Sequence, residues 1–352
     1  MNSKERVRNA VMYRKPDRIP VGFEAVPSVV EKIMKAHNLR SFKELIDFYQ
    51  VDICDCNPNY IGKRTATRTE GDKTIAESIY GGEVWLKNNK GEIHAVMHKY
   101  PFDENTTVQD ILSHDWITPD DFDYESVKRK CDLYKDKALI VGHEGPFQIS
   151  TFMMDMAILF EKMVLEEDVA HALFDRFVQF ELEYYERILM AADGQIDILR
   201  PHDDYGTQQN LLFSVQMFDE YFAENTKKLV NLAHKYNCFY QQHSCGAVHD
   251  LIPSLIGCGV DILEPLQKVQ GMEAERLQKD FGGKIAFHGG IDTQSLLPFG
   301  TPEEVRTECR HFAEVLGKNG GYILMASQAF ESDVPVENID ALYEEKNRSM
   351  KF

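Results

Sequence analysis

The chain has 352 residues, 43% of them hydrophobic, enough for a large core in one barrel-sized or doubly wound domain. A formal net charge of −18 and the lack of any basic run argue against a nucleic-acid surface. No apolar run approaches the roughly 18 residues of a membrane span, Met1–Ala10 is too polar for a secretion signal, and seven scattered cysteines fit free thiols in a reducing, cytoplasmic setting.

Taken in order, the apolar segments alternate with helical patterns. Strands are expected at 19–24, 51–56, 138–142, 196–201, 237–243, 260–264, 284–288 and 321–325. Helical spacing separates them: around Val29–Met34, at 42–49, at 147–163, at 168–192 with an apolar stripe through Leu173, Phe177 and Tyr184, and from Ser214 as N-cap onward. Polar surface helices are expected at 107–114 and 120–134. Alternating strand and helix means a parallel sheet. Eight repeats fit one closed (β/α)8 barrel, a TIM barrel, spanning 1–352, with a doubly wound open sheet as the competing arrangement. Between about 60 and 100 the pattern changes to short antiparallel strands at 74–78, 83–87 and 92–98, with a hairpin turn at 88–91. This β excursion is a candidate lid or docking wall. No phosphate-cradling glycine motif is present, since Gly289-Gly290 alone falls short of one.

In a parallel barrel the residues just after each strand ring one mouth. That ring is Glu24, Asn57, Glu144, His202, Asp203, Tyr205, His243, Cys245, Glu264, His288, Asp292 and Gln328. The fifth strand ends in Gln242-His243-Ser244-Cys245-Gly246, and imidazole with thiolate suits zinc. The sixth ends in Glu264, a candidate third ligand. Asp292 and Asn57 read first as loop residues capping neighbouring helices.

His243-Ser-Cys-Gly, Leu251-Ile-Pro-Ser-Leu-Ile, Gly259-Val-Asp-Ile-Leu-Glu-Pro and His288-Gly-Gly-Ile-Asp together resemble the uroporphyrinogen decarboxylase superfamily, most strongly over about 196–345. The resemblance implies a (β/α)8 barrel that serves either as a decarboxylase or as a zinc-dependent methyltransferase for corrinoid proteins. The decarboxylases carry an arginine-rich segment after the first strand and a Gly-His-Gly after the last. Here those places hold Phe23-Glu24-Ala25-Val26-Pro27 and Ser327-Gln328-Ala329. A polycarboxylate would meet Glu24, Asp52, Asp55 and Glu144 without cations. The resemblance is therefore to the methyltransferase branch, whose His-x-Cys this chain has. Where coenzyme M methyltransferases add a further cysteine, Gln328 stands. The corrinoid-dependent O-demethylases share a Glu-x14-Glu-x20-His spacing, matched here by Glu166, Glu181 and His202. Glu181 falls on the apolar face of its helix, so Glu166 and Glu181 are assigned supporting roles and the metal stays at His243 and Cys245.

These readings lead to a zinc-dependent O-demethylase component, similar to the methyltransferase I type, that moves a methyl group from an aryl methyl ether to the cobalamin (cob(I)alamin) of a corrinoid protein. Zinc at His243, Cys245 and Glu264 would take up charge as the C–O bond breaks. Asp203, when protonated, or Tyr205 is the candidate proton donor, and Gln328 would orient substrate. Glu144, His202 and His288 are expected to contact it, with Phe23 and Phe147 forming a slot for the ring. A different methyl donor, a thiol acceptor, a decarboxylase-like lyase and a non-catalytic binding protein are the alternatives.

Overall fold

The computed structural model describes residues 1–89 and 92–345, so residues 90 and 91 of the expected 88–91 turn lie outside the described residues. Seven parallel strands, numbered along the chain, form a curled sheet: β1 (Ile53–Asp55), β2 (Ala138–Glu144), β3 (Ile198–His202), β4 (Phe239–His243), β5 (Ile262–Leu266), β6 (Ala286–Gly289) and β7 (Tyr322–Ile323). Their spatial order is their chain order, as right-handed strand–helix repeats produce.

The expected eighth strand, 19–24, is corrected by the structure. Val21 makes a single parallel bridge to Leu324 on one side. On the other, the Asp52 amide donates to the Val21 carbonyl at 2.9 Å. On that side the ladder stops because the Asp52 carboxylate takes the Val21 N–H at 2.9 Å, and on the Leu324 side Pro20 has no N–H to extend it. Asp52 is fully buried and also accepts from Arg6 and Arg18, each at 2.7 Å. Residues 19–25 are thus held between the two ends of the sheet by parallel backbone bonds to 324–330 on one side, among them Leu324 N–H to the Pro20 carbonyl at 2.9 Å and Phe330 N–H to the Glu24 carbonyl at 2.9 Å, and by the paired Asp52 carboxylate on the other.

Alternate strand residues divide into two cores, as the two-residue period of a strand requires. Leu139, Val141, Leu199, Tyr240, Leu263 and Phe287 pack outward against the helices. Ile53, Ile140, Ile198, Ile262, Ala286 and Ile323 form a separate inner cluster with Val7 and Val11. Those two valines belong to the helix Ser3–Val11, which closes the lower end of the sheet. A polar amino-terminal segment thus hides an apolar stripe. Two residues above the inner cluster, the same strands present Arg200, Gln241, Glu264 and His288, all buried.

Two helices expected as single pieces are each broken. Asp155 caps a new helix, Met156–Leu165, by accepting from the Ala157 amide at 2.9 Å, so Pro146–Met153 stops before it. Ser214 does cap Val215–Tyr221, and Phe222 separates this from Ala223–Lys235. The surface helices are shorter than expected, Val108–Ser113 and Tyr124–Leu133. The 60–100 excursion is a four-stranded antiparallel sheet, with Thr67–Glu70 added to Lys73–Glu77, Glu83–Asn89 and Glu92–Lys99. Tyr80 at its base stacks on Phe152 and meets Phe177 of the long helix Glu167–Ala192 edge-on. Among the described residues no helix is long and apolar enough to cross a membrane.

Candidate metal centre

Strand register sets the site. Glu144 pairs with His202, His202 with His243, and His243 with Glu264, so β2 to β5 place four polar side chains at one level. The chain then turns at Gly246, whose φ of 89° favours glycine. A Cβ there would lie 2.5 Å from the Thr207 carbonyl oxygen, so only glycine lets the 245–247 turn lie against the loop that follows β3.

Within this turn the two ring nitrogens of His243 face different groups. Nδ1 lies 2.7 Å from Glu264 Oε2. Nε2 lies 3.5 Å from Cys245 Sγ and 3.6 Å from Asp204 Oδ1. One ligand atom from each of Asp204, His243 and Cys245 lies within 4.8 Å of the others. Asp204 is held in place by the Cys245 amide, which donates to Oδ1 at 2.8 Å. Gln328 donates from Nε2 to Cys245 Sγ at 2.7 Å.

This donor set fits zinc. Tetrahedral bonds to nitrogen, oxygen and sulfur put donor atoms about 3.3–3.7 Å apart, and the two distances from Nε2 match. A carboxylate on the far nitrogen fixes the tautomer that leaves Nε2 free to bind, a common arrangement around metal-binding histidines. Glu264, expected as a ligand, lies on the Nδ1 side of the ring. The sequence singles out Asp203, but its neighbour Asp204 is the carboxylate that faces the imidazole nitrogen.

The electrostatics follow from burial and pairing. Burial by itself would lower the His243 imidazole, but Glu264 and Cys245 hold it well above its usual range. Burial would raise Glu264, yet His243 and Arg200 hold it far below. The Cys245 thiol is raised by burial in spite of His243. Beneath them runs a buried hydrogen-bond chain. Gln241 Nε2 donates to Glu264 Oε2 at 3.4 Å, and its Oε1 meets His288 Nδ1 at 3.2 Å. Burial pushes His288 down to about 4, so it is neutral, and its Nε2 has no partner among the described residues. Arg200 pairs with Glu24 and lies 3.8 Å from Glu264.

The other expected site residues are distributed as follows. Glu144 and His202 are half-exposed at the mouth, 3.9 Å apart, and the His202 ring lies 4.8 Å from that of His243. Asp203 and Tyr205 are both buried. Asp203 accepts from the Tyr205 hydroxyl at 2.9 Å and from the Gln148 amide at 2.7 Å, and burial raises it to about 8. Phe147 is core, packed between Phe160, Phe213 and Phe222, while Phe23 packs on Phe42 and Phe330. Asp292 caps the backbone at Gln294, Ser295 and Leu296, and Asn57 accepts from the Gly142 amide. Glu166 is half-exposed and paired with Lys162 at 2.8 Å. Glu181 is fully buried with both carboxylate oxygens unpartnered among the described residues. Fifteen helical steps carry the chain from Glu166 to Glu181, about 22 Å, so the structure does not bring that spaced trio together.

Residues 72–348 match the family described as uroporphyrinogen decarboxylase (URO-D). The chain belongs to the uroporphyrinogen decarboxylase family. A methyltransferase from Methanosarcina mazei superposes with a TM-score of 0.69 over 99% of this chain and 98% of its own, at 16% identity, a likeness of fold. The 3-keto-D-glucoside 4-epimerase of E. coli covers 64% of this chain and 94% of its own at 10% identity, and its TM-score of 0.36 carries no argument. No curated protein sequence matches the chain. Within the URO-D family, then, this member has Asp204, His243 and Cys245 gathered at the carboxyl ends of its parallel strands, where such folds gather their reactive groups.

Proposed function

We propose that this URO-D family member is a zinc-dependent methyltransferase that transfers the methyl group of an aryl methyl ether to the cob(I)alamin of a separate corrinoid protein. The observation that carries the reading is the convergence of Asp204, His243 and Cys245. His243 through Nε2, Cys245 through its thiolate and Asp204 through its carboxylate would hold the ion. Three protein ligands leave a fourth position for substrate, as catalytic zinc requires.

An aryl ether oxygen is a poor leaving group. When its bond to methyl breaks, the electron pair stays on oxygen, the methyl carbon takes the electron pair of the reduced corrinoid, and the oxygen gains a proton. Bound zinc supplies Lewis acidity for the developing negative charge. The chain supplies the rest. Glu264 keeps the His243 ring in one tautomer and orientation. Gln328 directs its N–H to Cys245 Sγ, stabilising the thiolate form that burial alone disfavours. His202 and Glu144, half-exposed beside His243, are the groups positioned to contact an entering substrate, with His202 the one to hand its oxygen a proton. Asp203 and Tyr205 are buried and bonded to one another, which suits support of the loop carrying Asp204.

The test is methyl transfer from a panel of aryl methyl ethers to reduced corrinoid protein, before and after complete zinc removal by a chelator. Transfer should disappear with the metal and return with added zinc. Undiminished transfer by zinc-free protein refutes the reading.

A further inference from the structure

The donors converging at the mouth differ in kind: one cysteine sulfur, one imidazole and one carboxylate. Two separate contacts reduce the sulfur character of this set. The third donor is the Asp204 carboxylate, pinned by the Cys245 amide at 2.8 Å so that it cannot swing away without losing a hydrogen bond. The single sulfur donor is itself hydrogen-bonded, with Gln328 Nε2 at 2.7 Å from Sγ. Asp204 follows β3 and Gln328 follows β7, so the two act on the His243–Cys245 turn from opposite sides of β4.

Each contact pushes the chemistry in the same direction. A carboxylate donates less electron density to a divalent ion than a thiolate does, being the harder ligand. A hydrogen bond to the thiolate draws density back from the ion. An ion held this way keeps more of its own positive charge and favours an oxygen donor over a polarisable sulfur.

We propose that Asp204 and Gln328 set the substrate class of this centre, making it accept a methyl donor that binds through oxygen and reject its sulfur analogue. The inference rests on the metal-dependent reading above and deepens it. It explains what Gln328 does at the place after the last strand, and it gives the Asp204 carboxylate a role in choosing substrate as well as in holding metal.

Cobalt(II) in place of zinc gives the test without any turnover. Thiolate-to-cobalt charge transfer reports how many thiolates bind, and the visible ligand-field bands report a substrate atom entering the site. The full chain loaded with cobalt should show the intensity of one thiolate. Its visible bands should respond to methoxybenzene at concentrations roughly tenfold lower than to methyl phenyl sulfide, a difference of about 1.4 kcal/mol. Asp204→Cys should add a second thiolate's intensity and reverse the preference. Gln328→Leu should narrow the preference while leaving one thiolate bound. Should Asp204→Cys fail to fold by circular dichroism, the wild-type competition and Gln328→Leu still decide. Stoichiometric cobalt with equal response to both compounds overturns the inference and leaves the metal reading standing. An unchanged spectrum in Asp204→Ala also overturns it. Failure of the wild-type chain to bind cobalt or zinc removes both.

Discussion

Glu264 Oε2 lies 2.7 Å from Nδ1 of His243, across the β4–β5 register that pairs these two residues. The contact comes directly from sheet geometry, because residues paired in adjacent parallel strands point their side chains to the same face. It leaves one ring nitrogen available, and that nitrogen faces Cys245 and Asp204.

Glu264→Gln keeps the shape and removes the charge. An outer carboxylate of this kind is worth about 10–100-fold in metal affinity. Zinc binding, measured by competition with a coloured chelator, should weaken by that factor while the thermal unfolding of the apo-protein stays cooperative.

His243→Ala and Cys245→Ser each delete a donor. Purified variants should carry far less than one zinc per chain by atomic absorption, where the parent should carry one. Asp204→Asn should give an intermediate result, since the amide oxygen is a weaker ligand than the carboxylate.

Glu181 predicts a pH dependence of stability. Burial first, then Asp203 and Glu144, raise its carboxyl well above the ordinary range. Its folded pKa exceeds its unfolded one, so the folded state binds more protons between the two values. The neutral form's advantage is complete below the unfolded pKa and is lost as pH rises towards the folded pKa. Glu181→Gln mimics the neutral acid and should melt above the parent at pH 8 by several degrees, on the order of one to a few kcal/mol. The gap should shrink at pH 5. A gap equal at both pH values would mean that Glu181 is charged throughout.

Arg200 is the buried cation between two acids, paired with Glu24 and 3.8 Å from Glu264. Arg200→Leu would leave those carboxylates facing each other without it. Breaking a buried pair this way costs about 3–5 kcal/mol, which urea denaturation will measure. Restoring neutrality with Glu24→Gln in the same chain should recover part of the loss.

Much of this arrangement is written locally. The apolar runs gave the seven paired strands to within a few residues, because strand periodicity and flanking turns are short-range signals. His243-Ser-Cys-Gly marks its own turn, since glycine at that backbone angle is needed whatever surrounds it. The broken helices were less legible. Asp155 and Phe222 interrupt patterns whose apolar spacing runs on unbroken, and a side-chain cap decided the first of them.

Composition, periodicity and the His-x-Cys turn by themselves determined a parallel α/β chain with imidazole, thiol and carboxylate side chains released at its strand ends. Only the tertiary structure decided which carboxylates face the imidazole, and from which side. Asp203 and Asp204 are adjacent in sequence, yet one turns to Tyr205 and Gln148 in the interior and the other to His243. Nothing local separates them, because consecutive side chains in extended backbone point opposite ways and the register between strands alone fixes which way is in. The eighth strand was lost for the same kind of reason: residues 19–24 have a strand's composition, but the Asp52 side chain, held by Arg6 and Arg18 from elsewhere in the chain, took the hydrogen bond that a strand would have used.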